Sequence, residues 1–498
     1  MNKLKLLFLL FILPSSIYTQ SLTDILNITA DNYIGTARFQ AMGGAFGALG
    51  GDLSAININP AGSAVYNNNE FGITFSNNEK TTKSSYFSNI LNNQNRRFSV
   101  NQAGGVWVFK NFGEGNLNKI SFGINAQTNS SYYDKINVEG INNSSSIDNF
   151  FLNNSNGLTV SDLSLGNDSV NYVYRFLGEN YGYPAQQAFL AFQGYIIEWD
   201  EINNTFFSLA RYQNGVNQEH QKNSKGYNNK YNLNFSVNFK EDFFFGINLN
   251  IHEVYIENNL YHFETNFDEN SAVKSILYED RLLTIGDGFS LQLGAIKKFD
   301  NFRVGFSYQS PTWYTLYDET SQYLETNTVD IDGNYYTDII DPRVANLYPE
   351  YNIKSPSSIT LSSALVLGNF GLISLDLESK DFSKTKVKPR GDFLNLNNEI
   401  SKELQNTLNI RIGSEFKLNK LSLRAGYNSI ESPYKNLVDN SSSISFGFGY
   451  DLGSTIINFS HKSLQQNSRY QLFDSGLVDK ASLELNNSIS TLSLIFKF

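Results

Sequence analysis

The 498-residue sequence contains no cysteine, which excludes a disulfide framework, a cysteine-based metal site and a cysteine nucleophile. Positive charge is also scarce: 38 lysines and arginines stand against 48 acidic residues, and the formal net charge is −10. Because proteins that bind nucleic acid usually carry a basic face, we expect no nucleic-acid partner.

Long apolar segments are missing as well. The mean hydropathy of −0.32 excludes a bundle of membrane helices. It is compatible with a membrane β-barrel, because lumen-facing polar residues there alternate with lipid-facing apolar ones. One apolar run, LLFLLFIL at residues 6–13, follows Lys3 and Lys5 and ends at Pro14. It is shorter than the roughly 20 residues of a spanning helix, and it predicts a secretory signal peptide over residues 1–19.

From about Phe71 onward, apolar and polar residues alternate with a period of two, which predicts β-strands. The clearest hairpin turns at residues 240–242, and its apolar positions are Tyr231, Leu233, Phe235, Val237, Phe239, Phe243, Phe245, Ile247, Leu249 and Ile251. Lipid-facing side chains are predicted at Phe235, Phe245, Leu375 and Phe446, and lumen-facing ones at Asn234, Asn248, Asp376 and Arg424.

Turn lengths alternate along the chain. Short turns are predicted near residues 112–118, 240–242, 299–301, 368–369, 418–420 and 451–454, and the longest polar loop at residues 134–216. Short turns at one end and long loops at the other are typical of outer-membrane barrels, and the spacing predicts about 14 strands. A soluble β-sandwich or a propeller fits less well, because the strands are apolar on one face only and no fixed repeat appears.

The predicted fold class is therefore all-β, a transmembrane antiparallel β-barrel of about 14 strands with an N-terminal hatch plugging the lumen. The domains are a signal peptide at residues 1–19, a hatch at residues 20–69 and the barrel at residues 70–498. The last strand ends on Phe498, which we predict to be the signal read by the outer-membrane assembly machinery.

The predicted hatch centres on residues 35–66, which are rich in glycine and alanine and nearly uncharged. Gly43 and Gly44 begin a run that resembles a phosphate-binding loop, but such a loop needs a preceding strand, and here a signal peptide precedes it. Close packing against an inner wall explains the glycines better. The segment closes on Asn59-Pro60-Ala61, where proline disfavours a helical Asn59. An ordinary helix stop is the alternative interpretation.

The sequence resembles the FadL/TodX-like family of outer-membrane transporters for long-chain fatty acids and other hydrophobic compounds, and it is most similar to Bacteroidetes-type members. The strongest motif is GDLSAININPAG at residues 51–62, followed in order by RVGFSYQSP at 303–311, SPSSITLSSAL at 355–365 and LRAGYNSIESPY at 423–434. The resemblance implies a 14-stranded barrel, an N-terminal hatch inside it, and lateral exit of ligand through a gap near a kinked strand.

Charged residues recur at lumen-facing positions, namely Arg303, Asp376, Glu378, Arg411, Glu415 and Arg424. Two interpretations are open. The charges either neutralise one another as ion pairs lining a polar lumen, or they anchor the hatch and steer a carboxylate head group. We favour ion pairs within the wall, because both signs are present and arginine pairs readily with carboxylates.

An apolar stretch at residues 181–199 interrupts the longest loop. Its spacing predicts a short amphipathic helix, and its apolar side chains are Phe189, Leu190, Phe192, Ile196, Ile197 and Trp199. They form either an external ligand-capture groove or a loop that packs on itself over the barrel mouth.

Catalysis is not predicted. The four histidines are His220, His252, His262 and His461, and no G-x-S-x-G elbow accompanies them. We expect no enzyme activity, no cofactor and no metal.

The predicted function is passive, hatch-gated uptake of hydrophobic or amphiphilic small molecules by a monomer in the outer membrane of a Gram-negative bacterium, in contact with membrane lipid. The alternatives are a barrel of the same fold that serves protein secretion or surface attachment, and a structural outer-membrane protein. A general diffusion porin fits less well, because the hatch motif is intact.

Overall fold

The computed structural model describes residues 21–32, 34–110, 116–436 and 440–498. The predicted signal peptide lies outside these residues, as does most of the predicted turn at 112–118. Within the described residues, no helix is long and apolar enough to cross a membrane.

Fourteen antiparallel strands close into a barrel, as predicted. Several of these strands continue beyond a break, so that more segments than barrel strands are numbered. In chain order the strands are β1 Glu70–Tyr86, β2 Asn89–Lys110, β3 Leu117–Ser131, β4 Asp134–Asn142, β5 Ile197–Asp200, β6 Thr205–Ser208, β7 Val216–Phe239, β8 Phe243–Thr265, β9 Val273–Phe299, β10 Phe302–Gln309, β11 Trp313–Val329, β12 Tyr335–Ile340, β13 Asn346–Leu347, β14 Tyr351–Lys354, β15 Ser358–Val366, β16 Gly371–Asp381, β17 Lys386–Lys388, β18 Asn406–Leu418, β19 Leu421–Ile430, β20 Ser441–Asp451, β21 Thr455–Gln471 and β22 Lys480–Lys497.

Helices occupy the N-terminal region and the loops. They are α1 Leu22–Thr29, α2 Ala37–Ala41, α3 Asp148–Asn154, α4 Val160–Leu163, α5 Val170–Tyr181, α6 Tyr183–Gln193 and α7 Leu394–Glu403, with 3₁₀ turns at Ser54–Asn57, Pro60–Val65 and Phe382–Lys384.

The barrel closes between its first and last strands, where Phe71 of β1 lies opposite Phe496 of β22. Closure pairs the two edges that would otherwise face lipid with unbonded backbone groups. The alternation of side chains follows the predicted register. Phe245 is 47% exposed on the outer face, whereas Asn234 and Asn248 are buried inside.

The longest loop differs from the polar excursion that its composition predicts. Residues 143–215, which we call the lid, contain α3 to α6 and the small hairpin β5–β6. The lid has an apolar core that includes Phe151, Leu177 and Leu190, and this core continues onto the barrel rim through Tyr278 of β9. The abundant asparagine and serine of this region lie around that core, which is why composition alone suggests a solvated loop.

One seam of the wall is incomplete. The ladder between β2 and β3 runs from Lys110 opposite Lys119 up to Gln102 opposite Gln127. Above that point, residues 89–101 of β2 pair with β1 only, among the described residues. The chain of β3 breaks after Ser131 and resumes as β4, which pairs with β7. A gap in the pairing therefore opens between β2 and β3.

Candidate functional site

Residues 35–66, which we call the luminal segment, lie against the inward-facing side chains of the barrel. The segment folds as α2 and two 3₁₀ turns, and Gly43 and Gly44 adopt φ angles of 62° and 80°. These left-handed angles favour glycine. A Cβ on Gly43 would also lie only 2.7 Å from the backbone oxygen of Tyr427 in β19. The glycines therefore permit close docking on the wall, as the sequence predicts.

Glycines of the wall match those of the segment. A Cβ added at any of five inward-facing wall glycines would collide with the backbone or a side chain of residues 42–61; these are Gly246, Gly294, Gly305, Gly413 and Gly426. The segment approaches this closely only because the wall residues opposite it carry no side chain, so the segment and its seat are shaped for each other. In the sequence, these wall glycines appear only as positions without a side chain within the alternating strand pattern.

Asn59 hydrogen-bonds the centre of the segment to the barrel wall. Its Nδ2 donates to the carbonyl oxygen of Gly47 at 2.7 Å and to that of Ala295 in β9 at 3.1 Å. Its Oδ1 accepts from the backbone N–H of Ala61 at 3.1 Å, which caps the 3₁₀ turn beginning at Pro60. Asn59 is thus both a local cap and a bond to the wall.

A buried carboxylate of the wall accepts hydrogen bonds from the backbone of the segment. Asp376 accepts from the N–H groups of Phe46 and Gly47, each at 3.0 Å. It also lies 3.6 Å from the guanidinium of Arg411, which in turn pairs with Glu378 at 2.6 Å. Asp376 is therefore shared between a wall arginine and the luminal segment.

A second carboxylate is shared in the same way. Glu415 pairs with Arg424 of the neighbouring strand at 2.6 Å and with Arg38 of α2 at 2.9 Å. Arg303 of β10 donates to the carbonyl oxygen of Leu49 at 2.9 Å. The lumen-facing charges do form ion pairs within the wall, but the same groups also hold the segment, so the two sequence-based interpretations describe one network.

A small polar cavity separates α1 from the luminal segment. Its volume is about 60 Å³, and its lining includes Asp31, Lys230, His252 and Lys380. Lys380 Nζ lies 2.7 Å from Asp31 Oδ2. Burial acts to raise the pKa of Asp31, but the ammonium groups of Lys380 and then Lys230 lower that pKa to about 2. Lys230 is only 6% exposed, and its side chain makes no hydrogen bond or ion pair with the described residues.

The predicted capture segment lies in the lid and is largely buried. Phe189 and Leu190 fall in α6, the predicted helix, and both are fully buried. Ile196 and Ile197 are buried too, while Phe192 and Trp199 pack against the same cluster from its edge. The segment packs on itself over the barrel mouth and offers no exposed apolar groove in this conformation. Ligand capture by these residues stays a prediction.

A buried histidine pair beneath the lid was not predicted from the sequence. His220 and His262 lie on neighbouring strands with their Nδ1 atoms 3.1 Å apart. His262 Nε2 lies 3.0 Å from a carboxylate oxygen of Glu264, which accepts from the N–H of Ile147 at 2.9 Å and so ties the start of α3 to the rim. The register that places residues 220 and 262 opposite each other is set by the β7–β8 turn and was available from the hairpin pattern.

Phe498 extends the last strand at its end. Its N–H donates to the carbonyl oxygen of Asn69 at 3.1 Å, and its side chain is exposed. Its role as an assembly signal stays a prediction. Within the described residues, no group of three or more His, Asp or Glu side chains is placed to hold a metal ion.

Comparison with known proteins shows the fold. No protein-family model matches the sequence. No curated protein matches it either. Among solved structures, a Pseudomonas aeruginosa FadL homologue is similar at 11% identity and a TM-score of 0.54, over 94% of this chain and all of that one. The Pseudomonas putida toluene transporter TodX is similar at 14% identity and a TM-score of 0.50, over 93% of this chain and 98% of the other.

Proposed function

We propose that this protein admits hydrophobic and amphiphilic small molecules through the outer membrane of a Gram-negative bacterium, by passive diffusion, with the luminal segment as its hatch. The observation that carries the proposal is the docking of residues 35–66 on a matched seat of glycines and buried charges inside the barrel. Such a plug suits a selective channel, because it blocks the open aqueous path of a general porin. The resemblance of this protein's fold to that of a toluene transporter supports the same role.

The gap between β2 and β3 is the proposed lateral exit. Arg97 of β2 faces the lumen there, with its guanidinium 3.3 Å from the ring centroid of Tyr133 and 3.3 Å from Ser131 Oγ. The outer face beside it carries Phe98, which is 69% exposed and stacks on Phe75. A solute that leaves the lumen between these strands meets apolar surface rather than water. Exit into the membrane therefore avoids the aqueous phase on the far side.

Amphiphiles fit the polar cavity as well as the apolar wall. Lys230 lines this cavity without a hydrogen-bonding partner among the described residues, and a carboxylate or hydroxyl head group would supply one. Each methylene of an attached chain that is buried contributes about 0.8 kcal/mol, so a long tail needs few polar contacts.

Substitution of Asn59 tests the hatch. Asn59→Ala removes its bonds to Gly47 and Ala295, and we expect uptake of labelled oleate by cells to change while the heat-modifiable folded barrel persists on a gel. Asn68→Ala, at an exposed position just beyond the segment, is the matched control.

A disulfide lock gives the complementary test. Because the chain lacks cysteine, the pair Gly47→Cys and Ser362→Cys would make a single bridge between segment and wall. A Cβ at Gly47 lies 2.9 Å from Ser362 Cβ, within about 1 Å of the separation that a disulfide needs. Oxidation should stop uptake and reduction should restore it. Transport at the native rate through the oxidised protein would show that this segment is not the gate.

Protein secretion or surface attachment is the second candidate. The lid exposes three aromatic side chains of α5, namely Tyr172, Phe176 and Tyr181, which are 45–48% exposed. An exposed aromatic patch suits a protein partner. If no fatty acid or hydrocarbon binds at micromolar levels and a secretion partner co-purifies through this patch, the second function replaces the first.

A further inference from the structure

The upper half of the lumen contains an apolar chamber filled by α1. Four side chains of this helix are buried there: Leu22, Ile25, Leu26 and Ile28. The chamber, which we call the α1 chamber, is lined by residues of β8, β11, β14 and α7, among them Val254, Ile256, Leu316, Ile353 and Ile400. It adjoins the polar cavity, because Thr29 of α1 and Tyr314 of the chamber also line that cavity.

Few polar bonds hold α1 in this chamber. Lys380 Nζ donates to the carbonyl oxygen of Thr29 at 2.7 Å. The Tyr132 hydroxyl donates to the carbonyl oxygen of Asn27 at 3.0 Å. Two further contacts to the wall are long: Asn228 Nδ2 lies 3.4 Å from the carbonyl oxygen of Ile28, and Thr23 Oγ1 lies 3.4 Å from the hydroxyl of Tyr434. An eight-residue helix is too short to be stable alone in water. Its seating therefore depends on burial of its apolar face.

Removal of α1 would leave a dry, apolar space. Such cavities do not fill stably with water, and they accept apolar molecules of matching size. Eight helical residues at a rise of 1.5 Å are about 12 Å long, which is the length of a medium acyl chain. The polar cavity below, with Lys230 facing it, matches a small head group at the end of such a chain.

We propose that the α1 chamber is the binding site for the tail of a medium-chain amphiphile, and that α1 is an internal substitute which the ligand displaces. The inference rests on the proposed function and specifies its site and its class of ligand. The head group lies in the polar cavity beside Lys230, and the tail takes the place of Leu22, Ile25 and Ile28. In the absence of ligand, α1 keeps the chamber closed.

The test measures binding and helix release without transport. Hydrogen–deuterium exchange of the purified protein in nanodiscs is followed with and without dodecanoate, and dodecanoate affinity is measured by equilibrium binding. We expect dodecanoate to speed exchange of the amides of residues 22–29 and to leave residues 37–65 unchanged. The double variant Ile25→Ala/Ile28→Ala weakens α1 but not the chamber wall, so it should bind dodecanoate roughly tenfold or more tightly. Asn27→Ala, on the exposed face of the same helix, should match the native protein.

Three outcomes of these measurements would contradict the proposal. Slower or unchanged exchange of α1 on addition of dodecanoate would overturn the proposal, as would weaker binding by the double variant or no binding by either protein. If the double variant does not give the heat-modifiable band, exchange in the native protein decides alone. If dodecanoate releases α1 but cells take up no labelled fatty acid, the site stands and the transport function fails.

Discussion

The luminal segment and α1 occupy the same lumen, but different forces hold them. Residues 35–66 are bonded to wall carboxylates at Asp376 and Glu415 and lie flush against wall glycines. By contrast, α1 rests mainly on apolar contacts, and its few polar bonds to the wall are made by its backbone and by one hydroxyl rather than by charged side chains of the helix. Polar bonds in a buried site are costly to break one at a time, whereas an apolar face can be exchanged for another of similar shape. The firmly held luminal segment and the more easily exchanged α1 are therefore next to each other in sequence.

The largest expected effect comes from Asp376→Ala, which should leave the luminal segment held no more firmly than α1. The substitution deletes the acceptor for Phe46 and Gly47 and leaves part of the charge of Arg411 uncompensated. A broken buried pair costs about 3–5 kcal/mol, to be measured as the free energy of unfolding in urea from lipid vesicles. Asp376→Asn, which keeps one acceptor oxygen, should lose less. A loss below about 1 kcal/mol would show that the segment is held elsewhere.

Gly305→Val is expected to disturb the luminal segment alone and to have a smaller effect than Asp376→Ala. The new side chain would collide with the backbone of Gly47, and overpacking of this kind costs about 1–3 kcal/mol. The nearest atoms to the new Cβ all belong to Gly47 and Ala48 rather than to a neighbouring strand, so we expect the barrel to form and the segment to be unseated. Ion conductance across a planar bilayer should rise. Gly391→Val, where no atom lies within 4 Å of the new Cβ, is the control. An unchanged conductance would contradict a rigid fit between segment and wall.

The smallest effect belongs to Asp31→Asn, at the junction of the two regions. Asp31 is 34% exposed, and partly exposed ion pairs contribute about 0–1 kcal/mol, so exchange of the α1 amides should speed up only slightly. The pH dependence follows from the lowered pKa of about 2. A carboxyl group whose pKa is lowered by folding contributes its full stabilisation at pH values above its ordinary pKa. It loses this contribution as the pH falls through the lowered pKa of the folded state. Between pH 5 and 8 the stabilisation of α1 by this pair should therefore be complete and independent of pH. A change in α1 exchange over that range, absent in Asp31→Asn, would contradict this assignment.

The strand pattern predicts most of the wall correctly because a barrel in lipid leaves little choice. Each lipid-facing position must be apolar and each backbone group must be paired, so alternation and short turns fix the register. The hairpin around residues 240–242 and the outward position of Phe245 follow from that constraint alone. Of the lid, the sequence predicts only the helix within residues 181–199 and, as one of two interpretations, its packing over the barrel mouth. The rest was not predicted, because its apolar residues are spread among asparagine and serine and come together only in three dimensions.

The candidate site was partly predictable. The glycines at 43 and 44 and the Asn59-Pro60-Ala61 closure are local signals, since left-handed angles and caps depend on a few adjacent residues. The partners of Asp376 and Glu415 in the luminal segment are more than 300 residues away in sequence, and alternation shows only that these carboxylates face inward. For the same reason, α1 could not be placed in an apolar chamber from its own eight residues.

By itself the sequence determined a closed wall, its register and a glycine-rich segment suited to close packing, because lipid and the backbone impose these locally. The tertiary structure alone decided which charges hold the luminal segment, that β2 and β3 separate above Gln102, and that α1 fills the upper lumen. These features depend on contacts between distant strands. Their energies become definite only when the barrel closes and excludes water from the groups inside.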